Sequence, residues 1–275
     1  MTCRPGYWRH DLPHPRRHRT RGLVLLRLLP LLLPTLSMAT PQVATSLTLE
    51  LQAFGRTSTH ELVIMADAVR VYSPAAGLEG VYDAATDTLQ ITLGNDGPSV
   101  VANRDSVAAL ASRLQVETDT LERSLDALPP EHAKLSRLRM QQLFKRPEDS
   151  AEGVAVDRAL ASGDDHTLHG IRCKGYRLLN GDAEVGTGYF ASPHALVHGH
   201  TLAAMLALVH DLYLALQQAA PAYVGWVLPS DLLSSLQPGL GIPLRLTIVN
   251  YRGDITTDWS VSGIREVMAA PQRPE

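Results

Sequence analysis

The chain has 275 residues, 25 Lys and Arg against 28 Asp and Glu, a formal charge of −3 and 45% hydrophobic residues, enough for one large or two modest domains. The first 39 residues hold seven basic side chains and one acidic; without them 18 basic and 27 acidic residues remain, a formal −9. That acidic balance excludes nucleic acid and anionic lipid surfaces as expected partners, since both are bound by Lys and Arg neutralising phosphates.

The chain opens with Arg4, Arg9, Arg16, Arg17, Arg19 and Arg21 against Asp11. An apolar run follows at 23–36, broken by Arg27, Pro30 and Pro34, well short of the roughly 20 residues of a membrane-spanning helix. Ser37-Met38-Ala39 offers small residues where a leader peptidase cuts. Residues 1–39 are therefore expected to be a signal peptide, with a periplasmic destination and no membrane-spanning segment in the mature chain. Arg16-Arg17 is followed by His18 and Arg19 rather than by apolar residues, which favours the general secretory route over the twin-arginine route. Cys3 leaves with the leader, so Cys173 has no partner for a disulfide.

Residues 40–46 read as a mobile new N-terminus. Leu47, Leu49 and Leu51 then alternate with Thr48, Glu50 and Gln52, the period of a half-buried strand. Further strands are predicted at 61–66, 69–72, 80–83, 88–93 and 99–102, joined by short turns, an antiparallel meander. The period then changes. Val107, Leu110, Leu114, Leu121, Leu125 and Leu128 lie along one helical stripe, with Asp105 or Ser106 as N-cap, and the stripe is expected to pack into the core. Pro129-Pro130 stops this helix and starts a second, running to about Phe144.

Residues 145–153 read as a loop, 154–160 as a strand and 162–167 as a surface turn. Asn180-Gly181 predicts a type I′ hairpin turn. Leu179 would then face Asp182, Tyr176 would face Val185, Ile171 would face Phe190, and Arg177 would pair with Glu184. Cys173, Gly175, Gly186 and Gly188 would share one small-residue face open to close approach. After Ser192-Pro193 a helix is expected at 201–218, apolar around most of its circumference and so buried on more than one side or covering a concavity. A long connection, with a strand at 223–228 and a short helix at 230–236, leads to a terminal hairpin. Its predicted type II′ turn at Gly253-Asp254 sets Ile248 opposite Trp259 and Leu246 opposite Val261. Residues 269–275 read as a disordered tail.

Three motifs together resemble an exported bacterial family of unknown function that is itself similar to the LolA-type lipoprotein carriers. They are Gly170-Ile171-Arg172-Cys173 followed by Tyr176, Leu128-Pro129-Pro130-Glu131-His132, and Gly241-Ile242-Pro243 before the last hairpin. The likeness spans about residues 47–267. It implies an α+β fold, a curved antiparallel sheet (a LolA-like half-barrel) with helices covering the concave face, in one domain over residues 40–268. It also implies a non-enzymatic, periplasmic binding or carrier-like protein, monomeric and without cofactor, for a lipid or lipoprotein acyl chain or a partner's apolar segment. The expected ligand-binding residues on the concave face are Ile171, Cys173, Gly175, Gly186, Gly188 and Phe190. Many members carry a methionine-rich helix near the Pro-Pro break; only Met140 stands there in this chain. A ligand-free envelope scaffold, its concavity filled by the 201–218 helix, is the alternative.

His194, His198 and His200 form the only dense histidine cluster. With Asp211 or His210 they could hold zinc, the basis of a second alternative, a metal-dependent hydrolase. Gly199 and Pro193 favour solvated loop histidines instead. Cys173 reads as a small core residue rather than a nucleophile. Arg252-Gly253-Asp254 is explained by a hairpin turn. No nucleophile elbow, phosphate-binding loop or dinucleotide fingerprint occurs.

Overall fold

The structure is a computed structural model describing residues 42–53, 55–94, 97–143, 154–219 and 230–269. The expected signal peptide, the 145–153 loop, the 223–228 strand and the last six residues lie outside these. The described residues make one compact unit.

Six strands come first: β1 (Gln42–Ala53), β2 (Arg56–Ile64), β3 (Ala68–Ser73), β4 (Leu78–Asp83), β5 (Thr88–Leu93) and β6 (Ser99–Ala102). Two helices follow, α1 (Arg104–Asp126) and α2 (Pro130–Leu143). Then come β7 (Arg158–Ala161), β8 (His166–Leu168), β9 (Ile171–Asn180), β10 (Ala183–Ala191), α3 (Gly199–Ala219), α4 (Ser230–Ser235), β11 (Ile242–Val249) and β12 (Ile255–Ala269). The strands form one open, curved antiparallel sheet in the order β6-β5-β4-β3-β2-β1-β12-β11-β10-β9-β7, with β8 also on β9. The first and last strands are thus neighbours at its centre, and the α+β class follows directly.

β1 begins earlier than the sequence suggests. Residues 42–46 are not a mobile terminus: they pair with residues 265–269 of β12, and Ala44, Thr45 and Ser46 are buried. Small and hydroxyl side chains gave no alternation of apolar residues to read there. The predicted 154–160 strand is likewise corrected, because Val154 and Val156 are buried outside any ladder and β7 starts only at Arg158.

The core is the inner face of this sheet against α3. Leu47, Leu49, Leu62, Leu246, Ile248 and Val261 meet Leu202, Met205 and Leu206 in one cluster. Among the described residues α3 alone is long and apolar enough to cross a membrane, and its Leu202, Met205, Leu206, Leu208 and Tyr213 are buried in the fold instead.

α1 departs from expectation. Its N-cap is Asn103, in a reciprocal capping box with Ser106, ahead of the predicted caps. Its leucine stripe does not enter the core: only Val107 and Leu125 are buried, and Leu110 remains 39% exposed. The helix lies on α3 rather than on the sheet. Arg104 anchors it, forking between Asp87 in the β4–β5 turn and Asp211 of α3.

Candidate functional site

A cavity of about 870 Å³ lies between the β9–β10 hairpin and the first half of α3, walled by residues 192–195 and 236–241. Phe190, buried, forms its floor with Tyr176, whose ring meets it edge-on at 5.5 Å. Leu206, Leu236 and Leu240 complete the apolar lining. On α3, Ala203 and Ala207 face the cavity and keep helix bulk out of it.

Two glycines make this arrangement possible. At Gly188 a Cβ would stand 2.6 Å from Phe190 Cε2 and 2.7 Å from Leu246 Cδ2, so the missing side chain is what leaves room for the Phe190 ring beside the strand. Gly241 has φ +108° and its Cβ would strike the Ala191 carbonyl. Only glycine allows the 236–241 segment to pass so close to the end of β10.

The rim is polar. Arg172 and Lys174 are exposed lining residues, joined by Asp165 and His194. Arg172 pairs with Asp165 at 3.2 Å; among the described residues no carboxylate lies within ion-pair distance of Lys174.

Between the first two turns of α3 and the central strands the gap closes. Leu47, Leu62, Leu202, Leu206, Trp259 and Val261 leave only about 10 Å³ there, too little for a ligand.

The small-residue face does not form as predicted. The turn residues are Gly181 and Asp182, with Asn180 paired to Ala183, and only Gly181 takes a positive φ, 59°. A bulge follows between Glu184 and Gly186, so Leu178 faces Gly186, Tyr176 faces Gly188 and Lys174 faces Phe190. Alternation then puts Gly186 and Gly188 with Tyr176 and Phe190, while Cys173 and Gly175 share the opposite face with Tyr189 and Ala191. A Cβ on Gly175 would run into the Asp164 carbonyl oxygen, so the loop after β7 occupies that side. Of the six expected residues, Ile171 and Phe190 line the cavity, Gly188 seats Phe190, and Cys173, Gly175 and Gly186 are not among the lining. Arg177 and Glu184, now in different rungs, still approach to 3.7 Å.

The terminal hairpin is offset by two residues. A three-residue loop, with Asn250 N–H donating to the Asp254 carbonyl and Gly253 at φ 85°, replaces the predicted two-residue turn. Leu246 therefore faces Trp259, and Ile248 faces Thr257; an even offset leaves the buried face unchanged.

The histidines do not converge. His194 Nδ1 and His200 Nε2 are 3.0 Å apart, but His198, at φ 58°, donates from Nε2 to the Val43 carbonyl. His210 donates to the Leu233 carbonyl and Asp211 bonds Arg104. Among the described residues no group of three or more His, Cys, Asp or Glu side chains is placed to hold a metal ion.

Cys173 is fully buried and burial pushes its thiol pKa up, the opposite of what a nucleophile needs. His169 is engaged elsewhere, donating to the Val261 carbonyl at 2.6 Å.

Sequence reasoning missed Lys174, Tyr176, Ala203, Ala207 and the 236–241 wall. The signal for the first two was the strand alternation, misread through the register.

Fold and site together define a class: an α+β chain with a curved, open antiparallel sheet and a solvent-facing cavity beneath its covering helix. Among solved structures the chain is similar to PNGF-II, at 7% identity and TM-score 0.35, over 83% of this chain and 28% of that one. It is similar to an uncharacterized conserved protein from Thermus thermophilus, at 9% identity and TM-score 0.36, over 82% and 80%. It is also similar to the MucA/MucB complex of Pseudomonas aeruginosa, at 13% identity and TM-score 0.29, over 84% and 54%. The chain thus spans under a third of PNGF-II and about half of the MucA/MucB match. No family model and no curated protein matches it.

Proposed function

We propose that this is an exported, periplasmic, non-enzymatic binding or carrier-like protein that holds an apolar chain, from a lipid or from a partner's apolar segment, in the cavity beside α3. One observation carries the reading: a cavity of about 870 Å³ floored by Phe190, Tyr176, Leu206 and Leu236, within the roughly 300–1,000 Å³ of small-molecule sites. The leader-like N-terminus and the motifs that resemble an exported, LolA-like family support it.

A neutral fluorescent probe, N-phenyl-1-naphthylamine, tests it. Saturable binding is expected, together with its loss in Ala207→Trp, whose indole would fill the cavity from a half-buried helix position. Equal binding by Ala207→Trp, with an unchanged circular dichroism spectrum, would count against the cavity as the site.

The scaffold reading draws on the filled gap between the first two turns of α3 and the central strands. It expects no saturable probe binding in either chain.

A further inference from the structure

The cavity has one feature that a purely apolar occupant does not require. Its solvent side carries Arg172 and Lys174 on a chain that is acidic beyond its first 39 residues, 27 acidic side chains against 18 basic. Lys174 sits directly opposite Phe190 in the β9–β10 ladder and two residues from Tyr176 on the same face, and it is an exposed residue of the lining that those rings floor. The single carboxylate among the lining residues, Asp165, is engaged by Arg172 at 3.2 Å. This leaves the Lys174 charge uncompensated among the described residues. A His194 nitrogen within 3.0 Å of His200 adds a polar group to the same rim.

We infer that the cavity takes an alkyl chain ending in a small anionic group, a carboxylate or a phosphate, with the chain on Phe190, Tyr176, Leu206 and Leu236 and the anion held by Lys174 and Arg172. The inference rests on the cavity being the binding site, and adds which amphiphiles it selects. Burial of the chain supplies affinity without regard to head group, whereas a charge-assisted hydrogen bond at the mouth separates an anion from a neutral analogue of equal length. Arg172 can contribute by exchanging Asp165 for the ligand's oxygens, since its guanidinium presents a two-pronged donor. The ammonium is the simpler contact, a point charge with three donors and no competitor. Because both groups are exposed, the preference for the anion should weaken as salt rises.

The test compares dodecanol, dodecanoic acid and dodecyl phosphate as competitors for the bound naphthylamine probe. All are measured on the whole chain and on Lys174→Glu and Arg172→Gln variants. One or both anions are expected to displace the probe at concentrations roughly tenfold lower than dodecanol. Lys174→Glu should erase that preference, and Arg172→Gln should reduce it. The two anionic arms distinguish a fatty-acid carboxylate from a phosphate head group as the preferred end. Equal displacement by all three, or a preference that survives both substitutions, overturns the inference and leaves the cavity reading standing. Displacement by none overturns both. Both substituted side chains are exposed strand positions, and an unchanged circular dichroism spectrum verifies that the variants fold.

Discussion

Tyr213 and Tyr82 are nearly equal in burial and opposite in bonding. Tyr82 Oη donates to Asp87 Oδ1 at 3.0 Å, while Tyr213 Oη, on a side chain only 1% exposed, has no hydrogen-bond partner among the described residues. A buried hydroxyl without a partner carries a desolvation cost of about 1–3 kcal/mol, and a satisfied one contributes about 1 kcal/mol. The same chemical change should therefore act with opposite sign: Tyr213→Phe is expected to raise the urea midpoint and Tyr82→Phe to lower it. His60 supplies a pH test at the same scale. Burial lowers its pKa below the ordinary 6.5, so above that pH both folded and unfolded chains hold it neutral. As pH falls below about 6.5 the unfolded chain binds a proton that the folded chain resists, and stability is lost until the folded pKa is passed. Urea titrations between about pH 7.5 and 5 should show a smaller loss in His60→Gln than in the unsubstituted chain.

At the scale of elements, the β9–β10 hairpin determines the cavity, and Gly188 is where it can be tested. A methyl group there must displace Phe190 or Leu246, both buried. Leu246 is fully buried in the core whereas Phe190 borders the cavity, so Phe190 should swing into it. Gly188→Ala is expected to cost about 1–3 kcal/mol, the range for overpacking, and to weaken naphthylamine binding at the same time; unfolding and probe titrations on one sample check both. The hairpin also marks how far sequence alone carries. Its two strands and the β-rich meander before it were legible from alternation and turn residues. Its register was not, because Asn180-Gly181 suits a two-residue turn centred one position earlier and a bulge at Val185 leaves no mark in the apolar pattern. The even offset at the terminal hairpin cost nothing, since Leu246 and Ile248 kept their face, whereas the bulge moved Gly186 and Gly188 away from Cys173. The leucine stripe of α1 illustrates a different limit. Periodicity identified the helix but not its neighbour, and lying on α3 instead of the sheet leaves Leu110 half in solvent. The 236–241 wall has no periodicity at all; only its glycines hinted that backbone passes close to backbone there.

At the scale of the whole molecule, the chain's described ends meet in the middle of the sheet, where β1 lies between β2 and β12. The start of β1 also ties down the helix that walls the cavity. Thr45 Oγ1 donates to the Val197 carbonyl at 2.9 Å and His198 Nε2 donates to the Val43 carbonyl at 2.9 Å. Thr201 Oγ1, donating to the Ala66 carbonyl at 3.0 Å, holds the first turn of α3 to the sheet independently of β1. A chain beginning at Leu47 would lose the first two bonds, the buried Ala44, Thr45 and Ser46, and five rungs of the β1–β12 ladder. Thr45→Val removes a single hydrogen bond, about 1 kcal/mol. If β1 positions α3, the truncated chain should be several kilocalories less stable, as expected for loss of a buried strand segment, and should bind naphthylamine more weakly even at temperatures where it remains folded. Thr45→Val should lower stability slightly and leave binding nearly intact. Unchanged probe affinity in the folded truncated chain would mean instead that Leu202, Met205 and Leu206 seat α3 through the core alone. Amide hydrogen exchange along the first turns of α3 separates the two outcomes, since loss of the β1 clamp speeds exchange there before the rest of the helix opens.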